Sequence, residues 1–454
     1  MNRHPIAASE AWQSPAPRHR DDLLRAFRAT RACSEQLMAP LSDADLRMQS
    51  MPDVSPPFWN LGHTSWFFAA NVLRPIGREP EGFPGFDYTF NSYYEGIGPR
   101  LPRAQRGKVA QPSNLLVREY RAAVDAAMQQ WIEQCPEAQL AALAALVAIG
   151  IEHEQQHQEL FVTEILHIRS VAPTELRLAY ASAAPAAAPA AGPTAAPEPL
   201  RAIPFAAAET LLGHDEPGFC WDNELPAHRV YTGAFALGDR LITNAEWLAF
   251  MTDGGYRRPL LWLSNGWAAV QQHGWQAPLY WERHAERWLR WTLRGLVEVA
   301  PNAPVCHVSF YEAEAFARWY GEQFAEWRHA RLPRESEWEH AARVTGFGQA
   351  SGNLLDTDLQ RCALDVLPAA PAHGLRQLAG DVWEWTQSHY EPYPGYRPFA
   401  GALMEYNGKF MDNQRVLRGG SFATPRSQAR RGYRNFWPAD TRFQATGVRL
   451  LVDR

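Results

Sequence analysis

His153-Glu154-Gln155-Gln156-His157 places two imidazoles four residues apart in a strongly helical run. Side chains at i and i+4 share one helix face, so both rings can reach a single point. That is how a helix offers a metal two nitrogen ligands, a task for which histidine is the commonest side chain. The same five residues also satisfy H-E-x-x-H, the zinc-protease pattern in which the glutamate is the general base. His63 stands alone in an aromatic, apolar segment (Phe58-Trp59-Asn60-Leu61-Gly62-His63-Thr64-Ser65-Trp66-Phe67-Phe68) and offers a third imidazole from a neighbouring element. The apolar run Leu143-Ala144-Ala145-Leu146-Val147-Ala148-Ile149 implies that the pair is buried, where polar rings need a reason to be. Three neutral imidazoles with open positions suit iron(II) as well as zinc, and spacing alone does not separate them. A zinc hydrolase would use Glu154 as its base and draw a further ligand from His167 or Glu164. Its helix would normally lie beside a sheet, whereas the surroundings here are helical.

Such a site needs rigid elements around it, and the first part of the chain supplies helices. Leu23, Leu24, Phe27 and Leu37 mark an apolar side from Asp21 to about Leu46. After a proline-rich break at Met51–Pro57, the segment around His63 reads as a second helix. A third runs from about Asn114 to Gln134 and a fourth from about Glu137 to Ser170. Between the second and third lies a glycine- and aromatic-rich loop, Gly82 to Arg106, holding Phe90-Asn91-Ser92-Tyr93-Tyr94-Glu95. Four helices and one long loop predict an antiparallel bundle, where metal sites are built from inward-facing side chains. Residues 1–20 read as a flexible arm, 21–178 as the bundle, and the Ala/Pro-rich 179–200 as a tether. Residues 201–454 change texture to short strand-like runs between turn residues. Helices there begin near Asn244, capped by Thr243, at Ser309, and at Arg334. That pattern predicts an α+β domain with much irregular backbone.

Composition sets outer limits. A chain of 454 residues exceeds one ordinary core, and 46% hydrophobic with 20% charged residues describes a globular protein. A net charge of -5 argues against a nucleic-acid partner. The sequence has no apolar run of the roughly eighteen residues a membrane helix needs, so no membrane partner is expected. Met1-Asn2-Arg3-His4-Pro5 lacks a signal-peptide core, which predicts a cytoplasmic location. The five cysteines form no C-x-x-C pair, so neither a disulfide framework nor a cysteine metal cluster is expected.

Taken together, the His63 helix, the Phe90–Glu95 loop and His153–Glu159 resemble the ergothioneine-biosynthesis sulfoxide synthases. The second half is similar to the formylglycine-generating-enzyme-like (sulfatase-modifying-factor) domain of those enzymes. Its matching segments are Gly380-Asp381-Val382-Trp383-Glu384-Trp385-Thr386, Glu405-Tyr406-Asn407-Gly408-Lys409-Phe410-Met411, Leu417-Arg418-Gly419-Gly420-Ser421, Tyr433-Arg434-Asn435-Phe436 and Gly447-Val448-Arg449-Leu450. The resemblance implies a multidomain α and α+β protein: a DinB-like four-helix bundle, then a C-type-lectin-like domain, with the site in the cleft between them. It implies iron(II) held by His63, His153 and His157, with O2 as co-substrate. The reaction it implies joins the sulfur of cysteine or γ-glutamylcysteine to C2 of hercynine, giving a sulfoxide.

Within that resemblance the residues take roles. Hercynine's trimethylammonium donates no hydrogen bonds and needs oxygen dipoles or aromatic faces, which Gln156, Asn435 and Phe436 would provide. A tyrosine hydroxyl can supply a proton as O2 is reduced and so limit wasteful oxidation of the thiol to sulfinate. Tyr94 is the preferred candidate and Tyr93 the second. The donor's carboxylate calls for arginine, with Arg100, Arg103 and Arg434 as candidates. Some features depart from the family pattern. Trp59-Asn60-Leu61-Gly62-His63-Thr64-Ser65 replaces the usual lysine-tryptophan-histidine-leucine-alanine-histidine-threonine-threonine. Trp437 follows Phe436 where some members carry an acidic residue that helps recognise γ-glutamylcysteine. A selenoneine synthase, coupling hercynine to a selenosugar, is the alternative these departures keep open. A zinc hydrolase and a non-catalytic binding module are the other readings.

Overall fold

Proline placement decides where the N-terminal helices begin and stop. The computed structural model describes residues 19–108, 112–172 and 198–454. Helix α1 (Arg20–Met38) ends two residues before Pro40, which has no N–H to continue the helical ladder and whose ring crowds the preceding turn. The single helix expected from Asp21 to about Leu46 is therefore two. Ser42 restarts the chain as α2 (Asp43–Arg47) through a reciprocal capping box with Asp45. Helix α3 (Pro57–Phe68) opens on a proline, where the missing N–H has no helical partner to lose, and continues into a wider π turn at Ala69–Leu73. A short helix, α4 (Phe86–Phe90), lies inside the loop that the sequence pattern leaves irregular. Helix α5 (Asn114–Gln134), capped by Ser113, and the long α6 (Glu137–Val171) complete the set. Helices α1 and α3 each pack on both α5 and α6, which makes the four-helix bundle the sequence predicts.

The described residues fall into two compact units that do not follow chain order. The first takes the helical part, described to residue 172, together with Asp215–Asn223 and Arg397–Lys409 from the far half of the chain. Both of those segments fall within the sequence-predicted domain 201–454. The second unit comprises residues 198–214, Glu224–Tyr396 and Phe410–Arg454. Most of the expected arm (1–20) and of the Ala/Pro tether (179–200) lies outside the described residues. Among the described residues no helix is long and apolar enough to cross a membrane.

The second unit is built from small sheets and four helices. Strands β1 (Ala202–Phe205), β4 (Phe235–Gly238) and β12 (Leu451–Asp453) form one antiparallel sheet, and β2 (Ala208–Leu212) with β3 (His228–Thr232) form a hairpin. Strands β5 (Trp281–His284), β6 (Arg287–Thr292) and β7 (Gly295–Glu298) make a meander. A four-stranded sheet has the order β10 (Asn435–Pro438), β9 (Gln414–Arg418), β8 (Trp383–His389), β11 (Thr446–Gly447). Helices α7 (Asn244–Thr252) and α9 (Phe310–Gln323) start at capping boxes made by Thr243 and Ser309. Helix α10 spans Glu335–Thr345, and α8 (Ser264–His273), which begins without a side-chain cap, is not expected from the sequence.

The repeated motifs of this half hold its core. Arg449 grips Glu384 with two hydrogen bonds of 2.8 and 2.9 Å, and Trp338 Nε1 donates to the same carboxylate at 2.9 Å. Arg418 pairs with Glu339, both fully buried. Gly419 sits at φ +99°, and a side chain there would meet the Leu378 carbonyl at 2.8 Å.

Candidate metal centre

Helix α6 carries His153 and His157 on one face, and α3 brings His63 against them. One ligand nitrogen from each of the three lies within 4.8 Å of the others, and no other cluster of this kind occurs among the described residues. The His63 and His153 Nε2 atoms are 3.1 Å apart. His63 Nδ1 lies 2.6 Å from the Phe90 carbonyl oxygen, which only accepts, so the proton is on Nδ1 and Nε2 is bare. His157 Nδ1 is likewise 3.0 Å from Asn60 Oδ1, which leaves its Nε2 bare. His153 Nδ1 is buried without a hydrogen-bond partner. The three residues are 0%, 2% and 9% exposed, and burial pushes all three well below the usual histidine range. The rings are thus neutral and lone-pair-bearing, the state a divalent metal needs, and the donor set fits one.

Rings wall the cluster. Trp59 stacks on His63 at 4.7 Å and Phe67 on His153 at 4.1 Å. Two glycines let this packing close. A Cβ on Gly62 would lie 2.2 Å from the Phe90 ring, so this glycine admits the residue whose carbonyl holds His63. Gly150 does the same for Phe68, again at 2.2 Å.

Glu154 faces a different environment from the imidazoles. Its Oε2 accepts from Arg31 Nη1 at 2.7 Å, and its Oε1 accepts from Arg121 Nη2 at 2.7 Å and Ser34 Oγ at 2.6 Å. Burial alone would raise this carboxylate, but Arg121 and Arg31 outweigh it and hold it at about 2. Both oxygens are engaged and the group is a very weak base, so it is unsuited to the zincin role. Glu164 is also buried, accepting from Ser55 N–H at 3.1 Å and Asn60 Nδ2 at 2.5 Å, and burial pushes it up to about 8. Its two oxygens are taken up by these donors rather than offered as the ligand a zincin would need.

Beside the histidines stand three tyrosines. Asn91 Nδ2 donates to the Tyr94 carbonyl and Asn91 Oδ1 accepts from Tyr94 N–H, each at 3.0 Å, which fixes the loop. Tyr94 is fully buried, 5.8 Å from Trp66 and 4.7 Å from the Tyr93 ring, and burial first, then Tyr93 and Tyr406, raises its hydroxyl well above the tyrosine range. Burial raises Tyr93 as well. Tyr406 is a site residue the sequence did not single out. Its ring lies 5.9 Å from His153 and 6.2 Å from Tyr93, stacks on Trp221 at 4.5 Å, and its hydroxyl donates to Gln156 Oε1. It reaches the cluster because Arg397–Lys409 packs with the helical unit. Glu405 accepts from Glu95 and Gly96 N–H at 3.1 and 2.9 Å, and Lys409 Nζ lies 4.9 Å over the Tyr93 ring and donates to its carbonyl. The Glu405-Tyr406-Asn407 motif was visible in the chain, but no periodicity signals this packing.

The expected arginines divide. Arg100 pairs with Glu95 at 2.7 Å. Arg103 is exposed, with a 3.5 Å approach to the Asp53 carbonyl, and its charge acts on Tyr93, His63 and His157. In the second unit Arg434 is buried on Glu335, at 3.0 and 3.1 Å. Asn435 and Phe436 open β10, with Phe436 stacked on Tyr390 at 3.9 Å. The structure thus brings His63, His153, His157, Gln156, Tyr93 and Tyr94 together within the first unit.

Fold and cluster define a composite protein, a helical unit presenting three imidazoles and a domain of small sheets. Residues 26–161 match the DinB superfamily and residues 202–454 match the sulfatase-modifying factor enzyme 1-like domain. The chain is 34% identical to a hercynine oxygenase of Mycolicibacterium thermoresistibile, over 96% of this chain and 95% of that one. It is 36% identical to a hercynine oxygenase of Mycobacterium tuberculosis, over 92% and 95% respectively. Its second half is 30% identical to a formylglycine-generating enzyme of Streptomyces coelicolor, covering 45% of this chain and 73% of that one. The chain belongs to the hercynine oxygenase family, the sulfoxide synthases of ergothioneine biosynthesis, and is an enzyme of the oxygenase class.

Proposed function

We propose that this chain is an iron(II)- and O2-dependent synthase that joins C2 of the hercynine imidazole to the sulfur of a thiol donor and delivers a sulfoxide. Cysteine is placed ahead of γ-glutamylcysteine as donor. The observation that carries the proposal is the convergence of three neutral, buried imidazoles beside a carboxylate that Arg31 and Arg121 hold out of reach. Iron(II), when bound, supplies the redox chemistry with O2 that zinc lacks. Everything else falls to the chain. The rings of Trp59, Phe67 and Trp66 exclude water from the imidazoles. Gln156 orients the Tyr406 hydroxyl and presents a dipole to a cationic substrate. Tyr406 joins Tyr94 and Tyr93 as a proton donor, and its contact with His153 supports ranking it ahead of them. Arg103 attracts the donor's carboxylate, with Arg100 behind it.

The test gives iron-loaded protein hercynine and O2 with cysteine, γ-glutamylcysteine and a selenosugar in parallel, and reads the products by mass. The expected product with cysteine weighs hercynine plus cysteine plus one oxygen less two hydrogens, the second oxygen of O2 leaving as water. Product with the selenosugar alone would move the enzyme to selenoneine synthesis. No product with any donor would end the proposal.

A further inference from the structure

We propose that Asn60 and Glu164 form a positioning relay that fixes the tautomer of His157, keeping its Nε2 bare for the metal. The proposal rests on the metal reading above and assigns a cause to one of its ligands. An asparagine amide can present either its oxygen or its nitrogen to a neighbour, and the two choices have opposite consequences for an imidazole. With the oxygen facing His157 Nδ1, that atom must carry the proton and Nε2 keeps its lone pair. With the nitrogen facing it, the proton is driven onto Nε2 and the ligand is lost. Glu164 decides the matter, because the oxygen it turns to Asn60 is an acceptor in the ionised carboxylate and also in the neutral acid when the proton sits on Oε1. Its Oε1 accepts from Ser55 N–H at 3.1 Å and its Oε2 from Asn60 Nδ2 at 2.5 Å. The amide nitrogen therefore faces the carboxyl, and Oδ1 faces His157 at 3.0 Å.

The setting makes this more than a surface contact. Asn60 and Glu164 are 1% and 2% exposed, so water does not compete for either group. Glu164 lies two helical turns beyond His157 on the same face of α6, and Asn60 comes from α3, so the relay also ties together the two helices that supply the ligands. Ser55 is itself held by Arg106 Nη1, at 2.8 Å. His63 needs no such device, because the Phe90 backbone carbonyl cannot reverse. Of the two imidazoles with a partner on Nδ1, only His157 has its tautomer set by a side chain that could turn over. Outer partners of this kind govern metal affinity by about 10–100-fold.

The experiment uses the full-length chain and two readouts. In metal-free protein, 15N chemical shifts of the His157 imidazole report the tautomer. Anaerobic titration with Co(II) gives the affinity, and thermal melting checks the fold. The wild type is expected to show Nδ1 protonated. Asn60→Leu should mix the tautomers and weaken Co(II) binding by about tenfold or more, and Glu164→Gln should do so to a lesser extent. The double variant Asn60→Asp/Glu164→Gln restores the order of donors and acceptors, with the new amide donating to the new carboxylate, and should recover both readouts. The relay is overturned if a folded Asn60→Leu keeps the wild-type tautomer and affinity, or if wild-type His157 carries its proton on Nε2. A wild-type chain that binds no divalent metal would overturn the metal reading alone, and the tautomer would still decide for or against the relay.

Discussion

Glu154 and Glu164 sit on the same helix, both buried, and end at opposite extremes. Glu154 meets two guanidinium groups, Arg31 and Arg121, and stays ionised at about 2. Glu164 accepts from the neutral N–H groups of Ser55 and Asn60, with Arg103 and Arg106 acting on it without an ion pair, and burial lifts it to about 8. Desolvation acts on both in the same direction, so the partners alone decide the outcome. The glutamate that completes H-E-x-x-H is a clasp joining α6 to α1 and α5. The one that no motif marks lies behind Asn60 and His157.

Removing each carboxylate should therefore break different things. Glu154→Ala leaves Arg31 and Arg121 buried without their counterion and should cost about 3–5 kcal/mol of stability, read by urea unfolding. A catalytic base would behave otherwise, with stability kept and turnover lost. Acid separates the two next. The folded pKa of Glu154 lies below its unfolded value of 4.5, so its contribution is present above 4.5 and lost as pH falls toward 2, about 3 kcal/mol in all. Glu164 has the opposite sign. Its folded pKa is raised, the native state holds the proton more tightly, and stability falls from pH 4.5 to 8 by up to about 1.4 kcal/mol per unit. Unfolding curves of Glu164→Gln across that range should be flatter than wild type.

Smaller effects sharpen the picture around the three imidazoles. Gly62→Ala drives a methyl into the Phe90 ring and should destabilise by about 1–3 kcal/mol in thermal melts, while loosening the carbonyl that holds His63. Tyr406→Phe loses one hydrogen bond to Gln156, about 0.5–1.5 kcal/mol, so its melting point should barely move. Its product mixture should shift from sulfoxide toward the donor's sulfinate, measured by mass.

Much of this was legible in the chain, for reasons that can be named. The i, i+4 histidines on a long apolar helix and the lone His63 among rings announced the three-imidazole cluster, and α5 and α6 fall close to where the periodicity places them. The break at Pro40 was equally readable but was overrun by the apolar pattern on either side. Tyr406 was hidden because its role depends on Arg397–Lys409 packing with helices some three hundred residues earlier, a contact local pattern does not encode. Asn60 looked like a departure from a motif and Glu164 like a spare ligand. Only their geometry shows that each answers the other.

What the three imidazoles hold decides the chemistry most directly. Protein loaded with iron(II) in one sample and zinc in another would be given hercynine, cysteine and O2, with O2 uptake and product mass followed together. Turnover in the iron sample alone, one O2 consumed per sulfoxide formed and lost in His63→Ala, is the predicted result. Equal turnover with zinc, or product formed without O2 uptake, would contradict it.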